Sequence, residues 1–261
     1  MTTDYRGKWV KKPWGRERIL VETADKSVAV WHLHLDPGQS TSMHAHIKKK
    51  TARVVLGGKA TVKFMSGEMN PRVCEKVRFA PGQYHQTIAA IKTACKTCGG
   101  PLGHNWVYTS TQDNLQTCRK CYDGLPVQYN MESLGHLDLL EVETPSDKQD
   151  LVRLEDQYGR AGRGYEGVEA LEEDSSPILV EKHAIYNLGT CWLMHTLLGE
   201  TGVEFFMPPL MGIVIFLSGG VRRGSMPVLS PGDVVEAETL RRLAAKYELL
   251  PSEVLEVSRG S

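Results

Sequence analysis

The 261-residue chain has no excess charge of either sign, since 31 lysines and arginines balance 31 aspartates and glutamates for a formal net charge of zero. A broad electrostatic grip on nucleic acid or on an anionic membrane rests on a basic excess, so neither is expected as a partner. No apolar run approaches the ~18 residues of a membrane span. The opening stretch MTTDYRGKWVKKPWG has no apolar signal core. The expectation is a cytoplasmic protein. The first half also lacks the helices that parallel α/β architecture places between strands. With 41% hydrophobic residues there is enough to build a core, and the length suits one large or two modest domains at roughly 100–200 residues each.

What is there reads as β structure. Short alternating apolar runs at Arg18 to Glu22, Ser27 to Leu35, Ala52 to Phe64, Glu75 to Phe79 and Leu137 to Val142 are separated by turns at Asp36-Pro37-Gly38, Gly57-Gly58 and Ala80-Pro81-Gly82. This pattern predicts an antiparallel sandwich or barrel. Between Thr93 and Gly135 the alternation gives way to cysteine, glycine and polar residues, as in an insertion into a loop of a finished fold. A short helix is expected over Asp147 to Tyr158, stopped by Gly159. The acidic run Glu166 to Asp174 reads as a linker. Beyond Pro177 strands return at Ile178 to Tyr186, Thr190 to Leu198, Gly212 to Leu217 and Asp233 to Glu236, with a helix expected over Thr239 to Tyr247. VVLGGKATV and RFAPGQYH in the first half are echoed by IFLSGGVRRG and VLSPGDVVEA in the second, which suggests a duplicated β-unit.

Nine histidines are unevenly spread. His44 and His46 are two apart, so on a strand both point to one side and two imidazoles can share a metal ion. His85 follows the turn at Pro81-Gly82 and can be brought beside them in a barrel. His32 and His34 form a second His-x-His pair on the preceding strand, read as outward polar positions with Trp31, Leu33 and Leu35 on the opposite face.

Gly38, His44-Ala45-His46, Gly58, Pro81-Gly82 and His85 together resemble the two metal-binding motifs of the cupin superfamily. Lys12-Pro13-Trp14-Gly15 and VWHLHLDPGQSTSMHAH are similar to the cupin domain of type II mannose-6-phosphate isomerases. The resemblance implies an all-β double-stranded β-helix barrel, duplicated as a bicupin. A divalent metal (Zn, Fe, Mn or Ni) would be held by His44, His46 and His85. The family glutamate falls by spacing on Thr51, a poor ligand beside a carboxylate. Three histidines leave an ion with its full charge and open positions, which suits Lewis-acid chemistry or, in some cupins, iron-dependent dioxygen chemistry.

Lys48, Lys49 and Lys50 follow the histidine pair. Strand alternation places Lys48 and Lys50 on the histidine side, where they would attract a phosphate, carboxylate or sugar acid. Lys50, Tyr84 and Thr51 are the catalytic candidates, and Lys48, Arg53 and Gln86 the substrate-binding ones. In the segment Leu139 to Arg160, which resembles the exit strand and extension of sugar-isomerase-like cupins, Arg153, Glu155, Asp156 and Arg160 are expected to form an ion-pair network over the barrel.

Cys95-Lys-Thr-Cys98 and Cys118-Arg-Lys-Cys121, nineteen residues apart, have the spacing of a structural zinc ribbon, with four thiolates filling one tetrahedral shell. Cys74 and Cys191 are left over and read as ordinary buried thiols. The expected organisation is an N-terminal cupin from 1–93 and 136–165, a zinc-ribbon-like module at 94–135, a linker at 166–176 and a degenerate cupin at 177–261. In that second unit, counting from Gly219 puts Phe205, Met207 and Val235 where His44, His46 and His85 stand, so it is expected to be metal-free and used for packing or for a homodimer. Three functions stay open. They are a metal-dependent sugar or sugar-phosphate isomerase or epimerase, a three-histidine Fe(II) dioxygenase, and a non-catalytic carbohydrate- or partner-binding bicupin with structural zinc. The first two act on a small molecule, anionic or a sugar.

Overall fold

Glycine and proline turns cut the apolar runs into short strands that pair antiparallel. The structure is a computed structural model and describes residues 7–90, 108–109, 116–117, 136–161, 180–198 and 212–260. The four CxxC cysteines, the linker at 166–176 and the Phe205 and Met207 positions lie outside the described residues.

The first part of the chain runs through β1 (Val10–Lys12), β2 (Gly15–Glu22), β3 (Ala29–Leu35), β4 (Met43–Ala45), β5 (Lys50–Gly57), β6 (Ala60–Phe64), β7 (Gly67–Met69), β8 (Lys76–Phe79) and β9 (His85–Ala89). A two-residue pairing of β10 (Tyr108–Thr109) with β11 (Gln116–Thr117) follows, then β12 (Leu137–Thr144) and β13 (Val152–Glu155). These strands form a six-stranded sheet, β1-β2-β3-β12-β5-β8, and a five-stranded sheet, β13-β4-β9-β6-β7. The chain folds as an all-β double-stranded β-helix. β12, the next described strand after β11, lies in the middle of its sheet between β3 and β5.

The later part contributes β14 (Ile185–Leu188), β15 (Cys191–Leu198), β16 (Ile213–Phe216), β17 (Val221–Arg223), β18 (Met226–Leu229), β19 (Val234–Glu236), helix α1 (Ala237–Ala244), β20 (Glu248–Leu249) and β21 (Ser252–Arg259). Its sheets are ordered β14-β15-β21-β16-β19 and β18-β17-β20. The first repeats the order β2-β3-β12-β5-β8, and the second matches β7-β6-β9. The same device recurs in both parts. Gly58 (φ +82°) and Gly219 (φ +71°) each press on the carbonyl preceding the long central strand. An added Cβ would lie 2.2 Å from the His136 oxygen and 2.3 Å from the Pro251 oxygen, respectively. Only glycine meets both demands without strain.

Alternation along the central strands sorts their side chains into two cores. Trp31, Leu33, Val55 and Leu139 face into the first barrel, where Trp14 and Ile19 join them. Val30, Val54, Leu140 and Val142 face the other way and pack against Leu193, Ile215 and Leu255 of the later part. The six-stranded sheet is thus covered on both faces, which is why Val54-Val55-Leu56 is continuously apolar rather than alternating.

Three expectations are corrected. Asp147 to Tyr158 is not a helix: after a turn, β13 pairs with β4 at the sheet edge, Arg153 opposite His44. The stretch has no apolar stripe at helical spacing, and strand pairing overrides local propensity. The later strand begins at Ile185 rather than Ile178, residues 181–184 being turn and loop. Helix α1 intervenes between β19 and β20, so Val235 on β19 matches the β8 position, and the counterpart of the His85 strand is β20.

Candidate metal centre

His44 on β4 and His85 at the start of β9 are direct partners across an antiparallel pair. His46 follows one residue beyond β4. The three side chains are buried and their ligand nitrogens lie within 4.8 Å of one another. Each ring is oriented the same way. Nδ1 of His44 donates to the Ser42 carbonyl at 2.8 Å, Nδ1 of His46 to the Asp150 carbonyl at 2.6 Å, and Nδ1 of His85 to the Gln83 carbonyl at 3.0 Å. A carbonyl only accepts, so Nδ1 carries the proton and each Nε2 keeps its lone pair. The Nε2 atoms of His46 and His85 are buried without a hydrogen-bond partner. Phe79 stacks on His85 at 3.8 Å and fixes its plane.

Burial, reinforced by neighbouring charge, keeps these imidazoles neutral. It holds His44 well below its ordinary value, with His85 and His46 adding to the effect. It holds His46 at about 4, where Lys49 adds to it, and His85 at about 3, where Arg53 does. Neutral, converging, carbonyl-anchored imidazoles with orphaned Nε2 atoms are the donor set a borderline divalent ion takes.

Asp150 supports the trio from a distance in sequence. Its carboxylate accepts the backbone N–H groups of Ile47, Lys48 and Lys49 at 2.8 to 3.0 Å. Burial pushes this carboxyl up, but the three donors outweigh it and its pKa lies below the ordinary value.

Facing the histidines is a wall of buried charge. Lys49 Nζ donates to Glu143 Oε1 at 2.7 Å, both side chains being fully buried, and to the Asp147 carbonyl at 2.9 Å. Arg53 reaches Glu141 at 2.5 Å and the Thr87 hydroxyl at 2.5 Å. Lys12 pairs with Glu17 at 3.6 Å. Lys148 lies 3.3 Å from Glu143, 3.8 Å from Glu141 and 3.9 Å from Glu17, and its ammonium sits 3.8 Å from the Trp31 ring centre. Burial alone would lower the Lys148 pKa, but Glu143, Glu17 and Glu141 raise it. Burial pushes Glu141 up, yet Arg53 and then Lys148 hold it well below the carboxylate range. Glu141 and Glu143 also group with His46, their ligand atoms within 4.8 Å of one another. The cavity between histidines and wall encloses about 50 Å³, room for roughly three to five water-sized groups at ~10–15 Å³ each.

Of the sequence candidates, His44, His46 and His85 converge, and Arg53 lines the cavity. Lys48 and Lys50 do not: both are exposed, and Lys49 between them is buried at 1% exposure. Strand alternation fails because residues 47–49 form a bend held by Asp150 rather than a strand. Gln86 lies on the opposite face of β9 from His85 and donates to the Thr41 carbonyl at 2.9 Å. Tyr84 is half-buried and not part of the cavity lining. Thr51 is buried between Phe79 and Glu143 in the sheet, its hydroxyl without a partner. Arg153 and Arg160 line the cavity, and Arg160 pairs with Asp156 at 2.7 Å. His32 and His34 share the Asp138 carboxylate at 2.9 and 2.8 Å.

Sequence reasoning missed Glu141, Glu143, Lys49, Lys148 and Asp150. A signal existed for the first two. In LDLLEVET they occupy the same parity as Leu137 and Leu139, so a barrel-facing strand carries two carboxylates where apolar residues are expected.

The fold and site define a double-stranded β-helix barrel with a histidine triad opposite a charged wall. No family model matches the chain, and no curated protein matches its sequence. Solved cupin structures do match. KdgF from Halomonas sp. is 11% identical, with 54% of this chain and 89% of that chain covered and a TM-score of 0.34. A sugar phosphate isomerase from a cupin superfamily, from Silicibacter pomeroyi, is 14% identical over 45% and 50%, at 0.28. A cupin superfamily protein from Desulfitobacterium hafniense is 11% identical over 50% and 76%, at 0.30.

Proposed function

We propose that the protein is a metal-dependent isomerase or epimerase of the cupin type, acting on a sugar or sugar phosphate. The observation that carries this reading is the juxtaposition of three converging imidazoles with an ionised carboxylate, Glu141, held beside them. Moving a proton between adjacent carbons takes an electrophile and a general base, a role an ionised carboxylate can fill. His44, His46 and His85 would hold the ion, which when bound supplies Lewis acidity to a substrate oxygen. Glu141, oriented by Arg53, is the group placed to take and return the proton. Six cationic side chains line the cavity (Lys12, Lys49, Arg53, Lys148, Arg153 and Arg160) against three carboxylates, Glu17, Glu141 and Glu143. This balance favours an anionic substrate.

The remaining assignments belong to the same proposal. The repeated strand order supports a bicupin, from 1–93 with 136–165 and from 177–261, joined by a linker at 166–176. The CxxC spacing supports structural zinc at Cys95, Cys98, Cys118 and Cys121 in a module at 94–135. The test is deuterium exchange and isomer formation, followed by NMR with metal-loaded protein on a panel of aldoses, ketoses and their phosphates. Conversion abolished by His44→Ala supports the proposal, and no exchange across the panel sinks it. A three-histidine Fe(II) dioxygenase is the second reading, favoured by Thr51 standing where a carboxylate ligand is expected. Oxygen uptake with Fe(II) and an organic substrate separates it from the first.

A further inference from the structure

Two cysteines remain outside the paired CxxC motifs, and the fold brings them together. Cys74 lies in the connection between β7 and β8, at φ +63°, its N–H donating to the Val55 carbonyl at 2.8 Å. Cys191 opens β15, opposite Arg259 on β21. They are 117 residues apart in sequence, one on each side of the core between the two parts of the chain, yet their sulfurs are 3.3 Å apart. We propose that Cys74 and Cys191 are a redox-active pair that forms a disulfide stapling the first barrel to the later sheets.

The two thiols are not equivalent. Cys74 is half-buried on the rim of a cavity of about 590 Å³ whose charged lining is Lys59, Arg72 and Arg259 against one carboxylate, Glu75, so a small solute reaches it in a net basic setting. Cys191 is 1% exposed. The hydrogen bond between the two sulfurs lowers the Cys74 pKa, helped by Arg259, and the same bond followed by burial raises that of Cys191. Cys74 is therefore the thiol an oxidant meets, and Cys191 the one that resolves it.

With hydrogen peroxide the chemistry balances in two steps. The Cys74 thiolate attacks one peroxide oxygen, the O–O bond breaks, and hydroxide leaves to be protonated to water. Cys74 is now a sulfenic acid. The Cys191 sulfur then attacks the Cys74 sulfur, the S–O bond breaks, and a second water departs with the Cys191 proton. Two electrons pass from the sulfurs to peroxide. Bond formation brings the sulfurs from 3.3 Å to about 2.05 Å. The bond encloses every residue from 74 to 191 in one covalent loop, and long loops lose the most unfolded-state entropy.

The test uses the native full chain treated with equimolar hydrogen peroxide, alkylated under denaturing conditions without reduction, and mapped by mass spectrometry. A peptide carrying Cys74 linked to one carrying Cys191 is expected. Both thiols should be lost to alkylation and recovered with dithiothreitol, and the reduced sample should unfold at the lower temperature. In Cys191→Ala, Cys74 should accumulate as a sulfenic acid trapped by dimedone. Should that variant not fold, Cys74→Ser at the more exposed position serves, and should leave Cys191 fully alkylated. Continued alkylation of both cysteines in the treated native protein overturns the proposal, as does linkage of either to a CxxC cysteine.

Discussion

Replacing Glu256 by glutamine tests whether the later sheets bury a carboxylate that lacks a charged partner. Glu256 sits on β21 between Met194 and Val214, at 4% exposure, with no hydrogen bond to either oxygen. The matching strand position in the first barrel is Glu141, which faces Arg53 across β5. Here Val214 stands where the arginine would be. Burial consequently pushes the Glu256 carboxyl from 4.5 up to about 7, and the Thr196 hydroxyl works against the shift without making a well-formed hydrogen bond.

Between pH 4.5 and 7 the folded chain keeps a proton that the unfolded chain releases, so stability is fully present below 4.5 and falls as pH rises through 7. At ~1.4 kcal/mol per pH unit the window is worth at most roughly 3 kcal/mol, and about 2 after allowing for residual solvent screening. Glutamine keeps the shape and removes the ionisation. Urea unfolding of both proteins at pH 4.5, 6 and 8 should show the variant gaining about 2 kcal/mol on the wild type across the range. Groups common to both cancel in that difference. Parallel stability curves would refute the reasoning, because they would mean that Glu256 titrates normally in the folded state.

Lys49→Met should cost about 1.5–3 kcal/mol by removing the closer of the two ammonium groups beside buried Glu143, with Lys148 remaining 3.3 Å away, whereas Lys48→Met should change stability by under ~0.5 kcal/mol; chemical denaturation of the two variants checks the contrast. Gly58→Ala forces a Cβ against the His136 carbonyl at positive φ and should destabilise by roughly 2–3 kcal/mol. Gly82→Ala, also at positive φ but with nothing within 4 Å, should cost only about 1 kcal/mol. Asp150→Ala frees the bend that carries His46 and should weaken metal binding ~10–100-fold, measured by competition with a chromophoric chelator. An unchanged affinity would remove Asp150 from its positioning role.

The contrast between the histidines and the lysines shows what kind of information a single sequence holds about this site. The histidine trio was legible because its geometry is local. One strand period sets His44 against His46, and a proline-glycine turn launches His85 into a strand that pairs with β4. The lysines defeated the same arithmetic. The alternation that would put Lys48 and Lys50 inward was carried across three residues whose backbone is clamped by Asp150, about a hundred positions later. Those three hydrogen bonds reset the phase, turning Lys49 inward. Glu141 and Glu143 failed for a third reason. Their parity in β12 was visible, but its meaning required knowing which face of the sheet looks into the barrel, and the six-stranded sheet is buried on both. A strand buried on both faces gives no polar side to read against, so its inward charges stand out only once the second layer is in place. Local spacing therefore reached the ligands and stopped short of the wall that faces them, because its tightest pairs, Lys49–Glu143 and Arg53–Glu141, join positions 94 and 88 residues apart.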